Sequence, residues 1–141
     1  MALFLCSIVN AQTTSPVPGS TLTVEVHGFH NNNGNAIVEL FNREDAFPKL
    51  PEKAVRIIYS KIENKKAIAT FENIPKGEYA VSVYHDENNN KKMDTNILGI
   101  PKEGVGASND ARGHFGPPKY NDAKFIFSGG QKTILINLTY L

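Results

Sequence analysis

The stretch GEYAVSVYHDENNN, Gly77 to Asn90, changes character halfway along. From Glu78 to Tyr84 it alternates, with Tyr79, Val81 and Val83 set against Ala80, Ser82 and Tyr84. A period of two marks a β-strand, because successive side chains point to opposite faces of a sheet. From Asp86 onward the apolar residues stop and Asp, Glu and Asn take over, residue types that hydrogen-bond to nearby backbone and favour turns. A strand therefore runs straight into a polar loop. Ahead of it, Ile74-Pro75-Lys76-Gly77 reads as a turn, since proline presets φ at a central position and glycine can supply positive φ.

Outward from this stretch the same logic finds further strands. Thr21 to Phe29 alternates, with Leu22, Val24 and Val26 on one face. Asn31-Asn32-Asn33-Gly34-Asn35 then predicts a hairpin turn, because these residues tolerate left-handed backbone. Ala36 to Phe41 is almost continuously apolar, as a central strand would be. Asn42 to Glu52, with Pro48 and Pro51, reads as an irregular connection pinned by Phe47 and Leu50. Val55 to Lys61 and Ala67 to Phe71 are strands either side of a turn at Glu63-Asn64-Lys65. Lys124 to Phe127 and Thr133 to Leu138, around Ser128-Gly129-Gly130, predict a closing hairpin. About seven short strands and no 3.6-residue periodicity point to an all-β fold. The reading is an antiparallel β-sandwich, immunoglobulin-like or prealbumin-like, with an open barrel as its competitor. A chain of 141 residues suits a single domain, placed at residues 21–141.

The segment from His85 to Ala123 (residues 85–123) is the one long stretch without a strand or helix of ordinary length. Loops of this length in compact domains are functional or disordered. Met93, Ile97, Leu98, Ile100, Val105, Phe115 and Tyr120 give it apolar anchors, which favours order. Asp86, Asn88 and Asn90 stand at alternate positions and Asp94 follows four residues later. A curled backbone can aim those oxygens at one centre, which is what a hard cation such as Ca²⁺ requires. The spacing fits the first, third, fifth and ninth positions of a calcium-binding EF-hand loop, with the Lys92 carbonyl at the seventh. It departs at the sixth, where Lys91 replaces glycine, and at the twelfth, where Ile97 replaces the bidentate Glu. A further carboxylate would have to come from Glu103, Asp110 or Asp122. The competing reading is that these residues only form turns. Both stay open.

Two histidines, His85 and His114, frame the loop and could with nearby carboxylates build a hydrolase site. No H-E-x-x-H or nucleophile-elbow motif supports that, and Ser108 in Gly106-Ala107-Ser108-Asn109 has no evident base partner. The sequence favours binding over catalysis.

At the other end, Ala2 to Val9 is a short apolar run, and Val9-Asn10-Ala11 offers the small residues that signal peptidase accepts. Residues 1–11 read as a signal peptide, shortened at its start because no Lys or Arg precedes the apolar run, and residues 12–20 as a flexible segment. Export follows as the expectation, to the periplasm, the outer surface or the medium. The run is too short to span a bilayer as a helix, so no transmembrane segment is expected in the mature chain. Cys6, the only cysteine, falls inside the run, which leaves the mature protein without a disulfide or a thiolate zinc site. A net charge of +1 gives no reason to expect nucleic acid or an anionic membrane as partner.

The ordered set of motifs carries a resemblance. Residues 77–90, then Met93-Asp94-Thr95-Asn96, Leu98-Gly99-Ile100-Pro101-Lys102-Glu103-Gly104, Ser108-Asn109, Phe115-Gly116-Pro117-Pro118 and Asp122-Ala123, make the chain similar to the bacterial family of domain of unknown function 2141. The resemblance implies an exported bacterial protein, an all-β domain and no established activity. Phe71 to Val83 is also similar, more weakly, to prealbumin-like and collagen-adhesin B-type sandwich domains, which implies a structural or adhesive role by analogy of fold alone. The functional expectation is an envelope module that binds a protein or polysaccharide through a loop organised by Ca²⁺. A hydrolase and a small-ligand carrier are the alternatives.

Overall fold

A computed structural model describes residues 18–114 and 116–141, so the signal peptide expected at residues 1–11 lies outside the described residues. The chain forms β1 (Thr21–His27), β2 (Asn35–Phe41), β3 (Arg56–Lys61), β4 (Lys66–Glu72), β5 (Gly77–Asp86), β6 (Val105–Ala107), β7 (Phe125–Phe127) and β8 (Gln131–Asn137). One helical turn, α1 (Tyr120–Ala123), and short 3₁₀ turns at Pro51–Lys53 and Ser108–Asp110 complete it. The β-sandwich expected from alternation is present. One sheet has the order β4-β1-β8, and the other the order β3-β2-β5-β6 with β7 also paired to β5.

Alternation explains the core. Leu22, Val24 and Val26 of β1, Ala36, Val38 and Leu40 of β2, and Val81 and Val83 of β5 face one another between the sheets, joined by Phe71, Phe127 and Ile136. Each such side chain withdrawn from water stabilises the fold by roughly 1.5–3 kcal/mol. The opposite side of the larger sheet is covered as well. Phe41, Ala80 and Ala107 are packed there against Phe47, Tyr120 and Ala123, so the irregular connection after β2 and the turn of α1 form a third layer over part of the sheet. That second burial is why β2 reads as an apolar run and not as an alternating one.

Three expectations from sequence are corrected. The Asn31–Asn35 segment does not close a hairpin, because β1 pairs with β4 and β8 while β2 pairs with β3 and β5. Nor do the last two strands form one: β7 pairs antiparallel with β5, and β8 lies alongside β1. Turn residues report that a chain reverses, not which strand it meets next, so local chemistry cannot tell a hairpin from a crossover between sheets. The β1–β8 pair is parallel, from Thr21 opposite Gln131 to His27 opposite Asn137, in a sandwich whose other strand pairs are antiparallel. Finally, the long segment after β5 is divided by β6, whose Ala107, Gly106 and Val105 pair with Ser82, Val83 and Tyr84. Three residues without alternation leave no periodic signal to read.

Candidate functional site

β5 is the longest strand and delivers His85 and Asp86, both buried, to one end of the sandwich. Asp86 then organises the chain that leaves the sheet. Its Oδ1 accepts the backbone N–H of Asn90 (3.1 Å) and its Oδ2 that of Lys91 (2.9 Å). Lys91 has a φ of +62°, the left-handed conformation for which the EF-hand loop uses glycine at this position. Two further turns follow, as the Asn88 side-chain oxygen accepts the Asn90 N–H (3.3 Å) and the Asn90 oxygen the Lys92 N–H (3.2 Å). The side-chain NH₂ groups of Asn88 and Asn90 both donate to Asp94, at 2.8 and 2.7 Å.

Of the five expected ligands, Asp86, Asn88, Asn90 and Asp94 are thus brought into one bonded group, while Lys92 joins it through its N–H. Ile97, at the twelfth position, is fully exposed and contributes no ligand. Among the carboxylates that could complete the set, Glu103 comes to the loop: it is buried, and its two oxygens accept the N–H groups of Glu87 (2.9 Å) and Asp94 (3.1 Å). Asp110 instead accepts the backbone and side-chain N–H groups of Asn137. Asp122 sits in the turn of α1. A cleft of about 420 Å³ opens between the outgoing and returning arms, lined by Glu87, Asn88, Asp94, Thr95, Lys102 and Glu103. Among the described residues no three His, Cys, Asp or Glu side chains gather closely enough to hold a metal by themselves. Any ion here would depend on amide and backbone oxygens. In the present arrangement the Asn NH₂ groups do for Asp94 what a cation would do.

The charges of the loop follow from these contacts. Donation by Asn90 and Asn88 holds the Asp94 carboxyl below its ordinary range, aided by Lys92 and Lys102. Burial pushes Glu103 up, against the pull of its two backbone donors, and the neighbouring charges of Asp94 and Asp86 add to the rise.

Underneath, His85 is locked. Its Nε2 lies 2.7 Å from the Asn33 carbonyl and its Nδ1 2.8 Å from the Tyr140 hydroxyl. A carbonyl can only accept, so Nε2 carries a proton; Nδ1 meets the Tyr140 hydroxyl, whose oxygen accepts the His30 N–H at 3.0 Å, and lies 3.5 Å from Glu87 Oε1. Gly34, at φ +65°, passes so close that a Cβ would overlap the Asp86 carbonyl. The Asn-rich segment after β1 is thereby strapped beneath the loop, with Asn31 donating to Glu87 (3.2 Å) and Asn35 to Asn89 (2.9 Å). The hydrolase reading needs an available imidazole pair. His85 has both ring nitrogens engaged and no exposed surface, whereas His114 is exposed. Ser108 is likewise committed: its hydroxyl donates to the Ala123 carbonyl (2.6 Å) and accepts the Val81 N–H (2.9 Å).

Sequence reasoning missed Tyr140, for which a lone aromatic near the end of the chain gives no signal. It also passed over Glu39, one acid in an apolar run. Glu39 is 3% exposed, and burial pushes its carboxyl up to about 7. Tyr84, on the same sheet face, is pushed well above the ordinary tyrosine range by burial and then by the charges of Glu39 and Asp86.

Fold and site together define a class: a β-sandwich that carries, on the end of its longest strand, a loop built from carboxylate and amide oxygens. The family described as "Uncharacterized protein conserved in bacteria (DUF2141)" matches residues 24–135, and the chain belongs to it. No curated protein and no solved structure matches. Among the described residues no helix is long and apolar enough to cross a membrane.

Proposed function

We propose that this chain is an exported binding module of the bacterial envelope, whose loop from Asp86 to Glu103 takes a Ca²⁺ ion and engages an envelope protein or polysaccharide. The observation that carries the reading is the gathering of Asn88, Asn90 and Asp94 around one another, with Asp86 curling the backbone beneath them and Glu103 bracing both arms. Ca²⁺ takes six to eight oxygens at about 2.3–2.6 Å and accepts amide and backbone carbonyls among them, which suits a site with few carboxylates. Rotation of the Asn88 and Asn90 amides would turn their oxygens inward, exchanging their hydrogen bonds to Asp94 and to the Asn90 and Lys92 N–H groups for coordination. Export is supported by the apolar run and small residues of the N-terminal sequence.

Calorimetric titration and thermal melting of the full chain with Ca²⁺ test the reading, with Mg²⁺ as the comparison because it demands a smaller, octahedral site. The expected result is a binding heat and a stabilisation of about 2.7 kcal/mol at a hundredfold excess of Ca²⁺ over its Kd. Asp94→Ala should abolish both while leaving the fold intact, since Asp94 is not buried. No heat and no rise in Tm in the unaltered chain rejects the ion.

A further inference from the structure

We propose that Tyr140 is the positioning residue of the loop: its ring holds the returning arm at Gly104, and so sets Glu103 where it braces both arms. The inference rests on the reading of this loop as a binding site and deepens it, by naming what governs the shape of that site. Glu103 ties the arms together, accepting the N–H of Glu87 on one oxygen (2.9 Å) and that of Asp94 on the other (3.1 Å). A carboxylate that bridges two arms is only as fixed as the backbone that carries it.

That backbone is fastened from the smaller sheet. Val105 and Thr139 exchange two backbone hydrogen bonds (2.9 and 2.8 Å), an antiparallel bridge that sets Tyr140 opposite Gly104. Gly104 has no positive φ, so its lack of a side chain answers a need for space and not for backbone freedom. The space is taken by Tyr140. A Cβ on Gly104 would lie 2.5, 2.7 and 2.9 Å from three carbons of the ring, well inside the roughly 3.5–4.0 Å of ordinary carbon contact.

The ring is itself held in place. It stacks on the His30 ring, with centroids 3.5 Å apart and planes 13° from parallel. Its hydroxyl accepts the His30 N–H (3.0 Å) and meets Nδ1 of His85 (2.8 Å), the buried residue from which the outgoing arm starts. His85 in turn donates its backbone N–H to the Gly104 carbonyl (2.8 Å). One side chain thus touches the roots of both arms and the segment strapped beneath them. The apolar side chains of the loop supply no such packing, since Met93, Ile97, Leu98 and Ile100 are all exposed. The loop therefore takes its support from outside itself. Groups that hold ligands in place from behind matter to an ion site, and losing one costs roughly 10- to 100-fold in metal affinity.

Amide hydrogen exchange of the full chain in chelator tests the proposal without the ion, and titration with Ca²⁺ tests it with the ion. Tyr140→Ala should speed exchange at the Glu87 and Asp94 amides by at least about tenfold more than at the amides of β2. Tyr140→Phe keeps the ring and should retain most of the protection. Gly104→Ala should resemble Tyr140→Ala, because its methyl expels the ring. Adding Gly104→Ala to Tyr140→Ala should then cost little more, since the methyl enters a space already emptied, whereas independent effects would add. Where the unaltered chain binds Ca²⁺, Tyr140→Ala should weaken that binding roughly 10- to 100-fold. Exchange at Glu87 and Asp94 that rises only in step with β2 is the mark of a merely structural role and overturns the proposal. So does a Tyr140→Phe variant as impaired as Tyr140→Ala, an additive double variant, or a Ca²⁺ affinity that Tyr140→Ala leaves unchanged. An unaltered chain that takes up no Ca²⁺ rejects the ion alone, and exchange in chelator still decides the role of Tyr140.

Discussion

Two irregular segments adjoin the larger sheet, and they are held to it by opposite means. The connection after β2, with the turn of α1, is pinned by apolar side chains: Phe41 packs edge-on to Phe47 at 5.6 Å, and Phe47 to Tyr120 at 6.0 Å. The loop from Asp86 to Glu103 buries only two side chains along its length, and both are carboxylates. Apolar burial is non-directional and indifferent to ions. Carboxylate-to-amide bonds are directional, respond to protonation, and can be re-formed around a cation. The first segment acts as a wall over the sheet, and the second as a part that its surroundings can reset.

The comparison breaks most readily at the wall. Phe41→Ala removes a fully buried ring and should cost about 3–5 kcal/mol in denaturant unfolding. Hydrogen exchange at the Asn90 and Lys91 amides should then accelerate only as far as global unfolding requires; a larger local gain would mean that the two segments are one cooperative unit.

Next in size is Glu39, which lies on that sheet face two residues before Phe41. Its folded-state pKa is raised from 4.5 to about 7, so the folded protein keeps a proton that the unfolded chain releases. Stability is therefore highest below pH 4.5 and falls as pH rises to about 7, by roughly 3 kcal/mol at most. Glu39→Gln should flatten that part of the profile and raise stability at neutral pH. A flat profile in the unaltered protein would show that the carboxyl is solvated. Asp94 works in the other direction: its lowered pKa adds stability above the ordinary Asp range that is lost as pH falls.

The smallest effect sharpens the contrast. Asp86→Ala leaves the Asn90 and Lys91 amides without their acceptor and should cost about 2 kcal/mol, read as faster exchange at those two amides with the Phe41 layer unmoved.

Much of this was legible in the sequence, and the illegible part has a physical reason. Period-two alternation located β1 because only one of its faces meets the core, and located β5 through its small and aromatic residues although both its faces are covered, while β2 appeared as a central strand because both its faces are covered. The spacing of Asp86, Asn88, Asn90 and Asp94 foretold their gathering, since it is a local property of a curled chain. Glu103 could be named only as one of three carboxylates, because its approach depends on where the returning arm lies. Strand partners were misread at Asn31–Asn35 and at Ser128–Gly130 for the same reason. The contacts of Tyr140 with His30 and His85 span 110 and 55 residues, a separation over which composition and periodicity carry no information.

The parallel pairing of β1 with β8 has a consequence for how the molecule comes into being. A ribosome makes the opening strand of the smaller sheet long before its neighbour at Gln131–Asn137, and until then β1 has only β4 beside it. Contacts so remote along the chain form slowly, because a large loop must close before they repay its entropy. The smaller sheet thus cannot be completed before Gln131–Asn137 has been made, and a product truncated before β8 should remain unfolded and open to proteolysis.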